Sequence, residues 1–118
     1  MANKTDYRTV DEVVNQAETL IDETIPVKGI ISVVNVKRGF FGKSINFTVK
    51  GKNKEMKFGV KVDKTSDLED YLLRNRNEVV ALQVRIAKSL LPDTFGTGSN
   101  VGYHIKEITF KDGQTYNG

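Results

Sequence analysis

Between residues 37 and 43 the chain reads Lys-Arg-Gly-Phe-Phe-Gly-Lys. Lys37, Arg38 and Lys43 are cations able to neutralise an anion. Phe40 and Phe41 are flat apolar rings, and Gly39 and Gly42 leave the backbone around them free to conform. Cations along a path, interleaved with rings on which bases stack, are the two ingredients of sequence-tolerant binding to single strands. The competing account is that the rings plug the end of a hydrophobic core. Adjacent residues of an extended segment point to opposite sides, so at least one ring is expected in solvent.

A second set of cations follows. Ile45, Phe47 and Val49 alternate with Ser44, Asn46, Thr48 and Lys50, and Met56, Phe58, Val60 and Val62 alternate with Glu55, Lys57, Gly59 and Lys61. This period of two marks half-buried strands, joined by the polar turn GKNK. Lys50, Lys57 and Lys61 then share an outward face, with Phe47 and Phe58 turned inward. That face carries no aromatic ring, so stacking falls to the loops. Phe40 and Phe41 are joined as candidates by Phe95, in the loop PDTFGTGSN, and by Tyr103 beside it.

The charge distribution agrees. The net charge is only +3, but residues 25–61 hold nine Lys and Arg side chains against Glu55 alone. A concentrated positive field attracts polyanions. Its bland counterpart is a set of lysines keeping exposed strand edges soluble. No basic helix is available to enter a major groove, so single strands are favoured over duplex. Nothing reads or avoids a 2′-hydroxyl, which leaves RNA open.

Catalysis has little to work with. One histidine, His104, and no cysteine leave no basis for a His-centred triad, a thiol nucleophile or a multi-histidine metal site. No enzymatic activity, metal or cofactor is expected. The carboxylates gather around two helix starts, where they complement the helix dipole.

The elements that position these residues are readable from pattern. Thr9 and Glu12 form a capping box, and Val10, Val13, Val14, Ala17, Leu20 and Ile21 recur at helical spacing, predicting a helix over 9–22. Pro26 separates it from a β-branched strand over 27–36, with Gly29 as the place for a bend or bulge. The hairpin follows, then a short helix opened by Ser66 and Glu69. A strand over 79–91 and a last strand from Val101 complete the order, the latter broken at Lys106 and Glu107 as by a bulge. The end of the chain, KDGQTYNG from Lys111, reads as frayed, with 112–118 as the tail.

At 118 residues the chain is read as one domain, with 1–24 as an N-terminal helical extension. No apolar run approaches a membrane span and the start is polar, so a cytoplasmic protein is expected. Three strands, a helix and two strands is the order of the oligonucleotide/oligosaccharide-binding fold. The expected fold is therefore mainly β: a five-stranded barrel of this type, with a helix between strands three and four and an extra N-terminal helix. An open α+β sheet is the alternative.

In order of elements, length and basic hairpin, residues 25–111 resemble phage-encoded single-stranded-DNA-binding proteins of this fold, of the kind found in siphophages of lactic-acid bacteria. That resemblance implies a sequence-nonspecific single-stranded-DNA-binding homodimer acting in phage replication or recombination, with replication or recombination proteins as further partners. Housekeeping bacterial relatives end in an acidic tail that recruits partners, and KDGQTYNG has none. A homodimer is also suggested by apolar residues on both faces of the strand over 27–36, and by the amphipathic first helix. The function of a different class is a protein-interaction module of a phage or plasmid, built on the same barrel and without nucleic-acid binding.

Overall fold

Thr9 opens the first helix as its type predicts, its Oγ1 accepting the Glu12 amide at 3.1 Å. In the computed structural model, which describes residues 7–88 and 101–117, this helix is α1, Val10–Gln16. It tightens into a 3-10 turn over Ala17–Leu20 and does not continue as α-helix to residue 22. The Thr19 hydroxyl donates to the Gln16 carbonyl at 2.7 Å, a side-chain bond that competes with the helical ladder. Just before α1, a two-residue strand β1 (Arg8–Thr9) pairs in parallel with Val27 and Lys28.

The strand expected over 27–36 runs farther in both directions, as β2, Thr24–Arg38, and Pro26 lies inside it. Its first half pairs with β5 (Val79–Lys88), from Thr24 opposite Arg85 to Ile30 opposite Val79. Its second half pairs with β3 (Lys43–Lys50), from Ile30 opposite Lys50 to Arg38 opposite Lys43. The bulge falls at Ser32, between Ile31 and Val33, and not at Gly29. Gly29 serves close packing instead: a Cβ there would lie 2.5 Å from Val49 and 2.7 Å from Val10.

The bulge explains the two apolar faces read from the sequence. Before it Ile25, Val27 and Ile31 are buried; after it the inward phase passes to Val34 and Val36, and Val33 is exposed. One strand thus covers the same core with two phases. α1 likewise buries Val10 and Val13 in the core of its own chain, joined by Ala17 and Leu20. Neither feature requires a second copy.

β4 (Glu55–Val62) completes the predicted hairpin, with Phe47 opposite Phe58 and both rings in the core, their centroids 5.3 Å apart. β6 (Val101–Thr109) pairs with β5, and the register shift between Gln83 and Val84 leaves Lys106 as the extra residue, at the predicted break. A seventh strand, β7 (Thr115–Asn117), pairs with Glu107–Thr109. The expected frayed tail is therefore a hairpin. Its turn is set by Gly113 at φ 91° and by Asp112, which accepts the Gln114 amide at 3.0 Å.

Among the described residues the strands form one sheet in the order β4-β3-β2-β5-β6-β7, with β1 beside β2. All main pairings are antiparallel, and the sheet curls on itself like a half-barrel. Across the open seam Phe58 of β4 meets Tyr103 of β6 edge to face, with centroids 6.5 Å apart. The five long strands follow the expected order, and two short strands are added to them. Helix α2 (Leu68–Arg74) lies between β4 and β5 and buries Leu68 and Leu72. No helix among the described residues is long and apolar enough to cross a membrane.

Candidate nucleic-acid interface

The β2–β3 hairpin closes with Arg38 opposite Lys43 and a Gly39 amide donating to the Gly42 carbonyl at 2.8 Å. Phe40 and Phe41 occupy the tip, and both are in solvent, at 89% and 97% exposure. The expectation of at least one exposed ring is exceeded. Burying such rings is worth about 1.5–3 kcal/mol each, so their full exposure at one tip needs an account beyond folding. Gly42 lets the returning strand settle on the end of β4, since a Cβ there would sit 2.5 Å from the Val62 carbonyl oxygen.

The cations at the base of this hairpin are not equivalent. Arg38 donates to Glu69 of α2 at 2.6 Å, and Lys43 donates to the same carboxylate at 3.2 Å and to the Ser66 carbonyl at 3.2 Å. The Lys43 and Glu69 side chains are only 11% and 13% exposed. Lys43 was expected on the ligand path, but its charge is committed to bracing the hairpin against α2. Arg38 keeps much of its guanidinium in water and has donors to spare beyond the Glu69 contact. The second capping box does not form: Ser66 accepts the Leu68 amide at 3.2 Å, while Glu69 turns to the two cations.

The outward face of β2, β3 and β4 is ordered by register. Lys37, Ser44 and Lys61 lie in one row, Asn35, Asn46 and Gly59 in the next, and Val33, Thr48 and Lys57 in the third. Lys37 and Lys61 are two strand spacings apart, about 10 Å, and Lys57 and Lys61 about 13 Å along one strand. Lys50 lies opposite Glu55, which offsets part of its charge. Among the described residues Lys37, Lys50, Lys57 and Lys61 make no ion pair. As expected, no ring lies on this face except at its edges.

Tyr103 lies opposite the buried Ile86, and its ring packs against Phe58 in the seam. Burial pushes its phenol above the ordinary tyrosine value. Tyr103, a stacking candidate on sequence, is thus partly buried with one side of its ring against the core. Phe95 lies outside the described residues. His104 is exposed in β6 opposite Arg85.

An open groove of about 730 Å³ lies beside the hairpin, lined among others by Lys37, Arg38, Phe41, Lys61, Asp63 and Tyr116. Sequence reading missed Tyr116, having taken its segment for a frayed tail. The signal was present: Asp112-Gly113 is a turn pair, followed by the strand formers Thr115 and Tyr116. A second groove of about 550 Å³ crosses the sheet face over Asn35, Asn46, Lys57 and Gly59.

No family model matches this chain, and no curated protein matches its sequence. Among solved structures it is similar to a chain assigned as an aspartyl-tRNA synthetase from Leishmania major Friedlin, with a TM-score of 0.59 at 17% sequence identity. The match covers 92% of this chain and 21% of that one. At this identity the likeness is one of fold.

Proposed function

We propose that this protein is an oligonucleotide/oligosaccharide-binding-fold module that binds single-stranded nucleic acid, with DNA as the first ligand to test and without strong sequence preference. The observation that carries the reading is the pair of exposed rings at the β2–β3 tip, set beside a sheet face whose lysines make no ion pair among the described residues. The rings accept unstacked bases, and the lysines neutralise the backbone between them. The fold likeness to a synthetase, a class of protein that by its name acts on a transfer RNA, is in keeping with this reading. A role in phage replication or recombination rests on the sequence resemblance alone.

The test is a fluorescent oligonucleotide titration, single strand against duplex and DNA against RNA, at several salt concentrations. Neutralising about four phosphates, one per lysine of the face, gives a log–log salt slope of about −3 at roughly 0.7 per phosphate. Lys61→Ala should lower that slope by about 0.7 and weaken all sequences alike. A flat salt response, or equal affinity for duplex, would move the exposed rings to the protein-interaction reading, in which they dock a partner protein.

A further inference from the structure

We infer that the seam between β4 and β7 is part of the ligand path, with Tyr116 as a stacking ring that seats one base of the single strand while Lys61 and Lys37 hold its phosphates. This inference rests on the single-strand reading above and adds to it a wall of the site that neither the sheet face nor the β2–β3 tip supplies.

Three observations lead there. β4 and β7 are the two edges of the curled sheet, and the groove beside the hairpin lies where they approach, with Lys61 and Val62 from β4 and Tyr116 from β7 in its lining. Tyr116 is half-buried: it lies opposite the fully buried Ile108 and packs against the core, yet it lines the open groove together with Phe41. A ring held by the core on one side and open on the other is ordered before the ligand arrives, so stacking on it costs little conformational entropy. Phe40 and Phe41 at their turn have no such support. Finally, Ser66 and Tyr116 also line a smaller cleft of about 180 Å³ beside Tyr71 and Phe110, whose rings stack 5.4 Å apart, so Tyr116 faces open space on this side too.

The charge of the larger groove favours a phosphodiester over an uncharged ligand, whereas the smaller cleft carries Asp67 and no cation in its lining. Lys37 and Lys61 make no ion pair among the described residues, and Arg38 contributes donors beyond its Glu69 contact. Asp63 is the carboxylate in the groove lining, and it follows the end of β4, next to Val62. Its charge is outnumbered by the cations of the same groove, which include Lys43, already neutralised by Glu69.

The experiment uses the full chain and a fluorescein-labelled oligo-dT, with Tyr116→Leu, Tyr116→Phe and Phe41→Ala, and thermal melting of each variant. Tyr116→Leu keeps an apolar group on Ile108 but removes the ring. It should weaken binding about 10-fold, while Tyr116→Phe stays near wild type. A second readout does not depend on the variants folding: oligo-dT carrying 5-iodouracil is photo-crosslinked to the wild-type protein and the adduct mapped, with Tyr116 expected among the modified residues. If wild type and Phe41→Ala differ in affinity but Tyr116→Leu matches wild type and adducts are confined to Phe40 and Phe41, the seam is not on the path and the single-strand reading stands. If wild type binds no oligo-dT at all, that reading fails and takes this inference with it.

Discussion

The two turns that leave opposite ends of β3 are both set among cations and are opposite in construction. Each begins with glycine: Gly39-Phe40-Phe41-Gly42, flanked by Arg38 and Lys43, at one end, and Gly51-Lys52-Asn53-Lys54 at the other. The second is bound down. Asp11 in the first turn of α1 accepts the Asn53 amide at 2.9 Å and the Lys54 amide at 2.9 Å, so the N-terminal helix holds this end of the curled sheet. The first is braced only at its base, by Glu69 on Arg38 and Lys43, and its tip makes no hydrogen bond beyond the Gly39–Gly42 pair among those described. A carboxylate spent on backbone amides builds structure. Rings left in water at a braced but uncovered turn are available to a ligand. Basic composition alone does not separate the two cases.

Substitutions at the two tips should therefore separate stability from binding. Phe40→Ala and Phe41→Ala should each cost about 1–3 kcal/mol of single-strand binding, with the double variant losing most, and all should melt with wild type. Early melting with normal affinity per folded molecule would return the rings to the core and dissolve the contrast. Asp11→Ala should do the reverse. Losing a carboxylate that satisfies two amides should lower stability by about 1–2 kcal/mol in denaturant titration and leave oligonucleotide affinity unchanged. A fall in affinity there would mean that the GKNK turn also touches the ligand.

Tyr103 gives the smallest and most specific effect. Its phenol is raised by burial, so the folded state keeps this proton at pH values where the unfolded chain has lost it. Stability should accordingly be intact below the ordinary tyrosine value of 10.0 and fall as pH rises above it, toward the raised folded value. Tyr103→Phe should flatten that alkaline loss in melting curves. If Tyr103 is a seam residue and not a stacking ring, oligonucleotide affinity near neutral pH should not change.

Much of the architecture was legible because alternation is a local property. Inward Phe47 and Phe58, outward Lys57 and Lys61, the hairpin between them and the break at Lys106 all follow from a period of two and its interruption. The first helix and its Thr9 cap were equally readable, although its last turn is 3-10 and not α. The tail was misread because three strand residues carry too little pattern to outweigh a run of polar ones. Only pairing with Glu107–Thr109 gives Thr115–Asn117 their structure.

What the sequence determined by itself was the set of ingredients: a basic middle third, two rings between glycines, strands with one polar face, and no thiol or histidine cluster for chemistry. Which of those cations are available was decided by tertiary structure. Glu69 lies 26 residues from Lys43 and 31 from Arg38, and only the packing of α2 against the hairpin brings its carboxylate to both. The same holds for the groove, whose walls come from β2, β3, β4 and β7 and meet only because the sheet curls until its two edges approach. Charge and shape at a site are sums over residues distant in sequence. A chain read one segment at a time gives the terms of such a sum, and the fold decides which of them cancel.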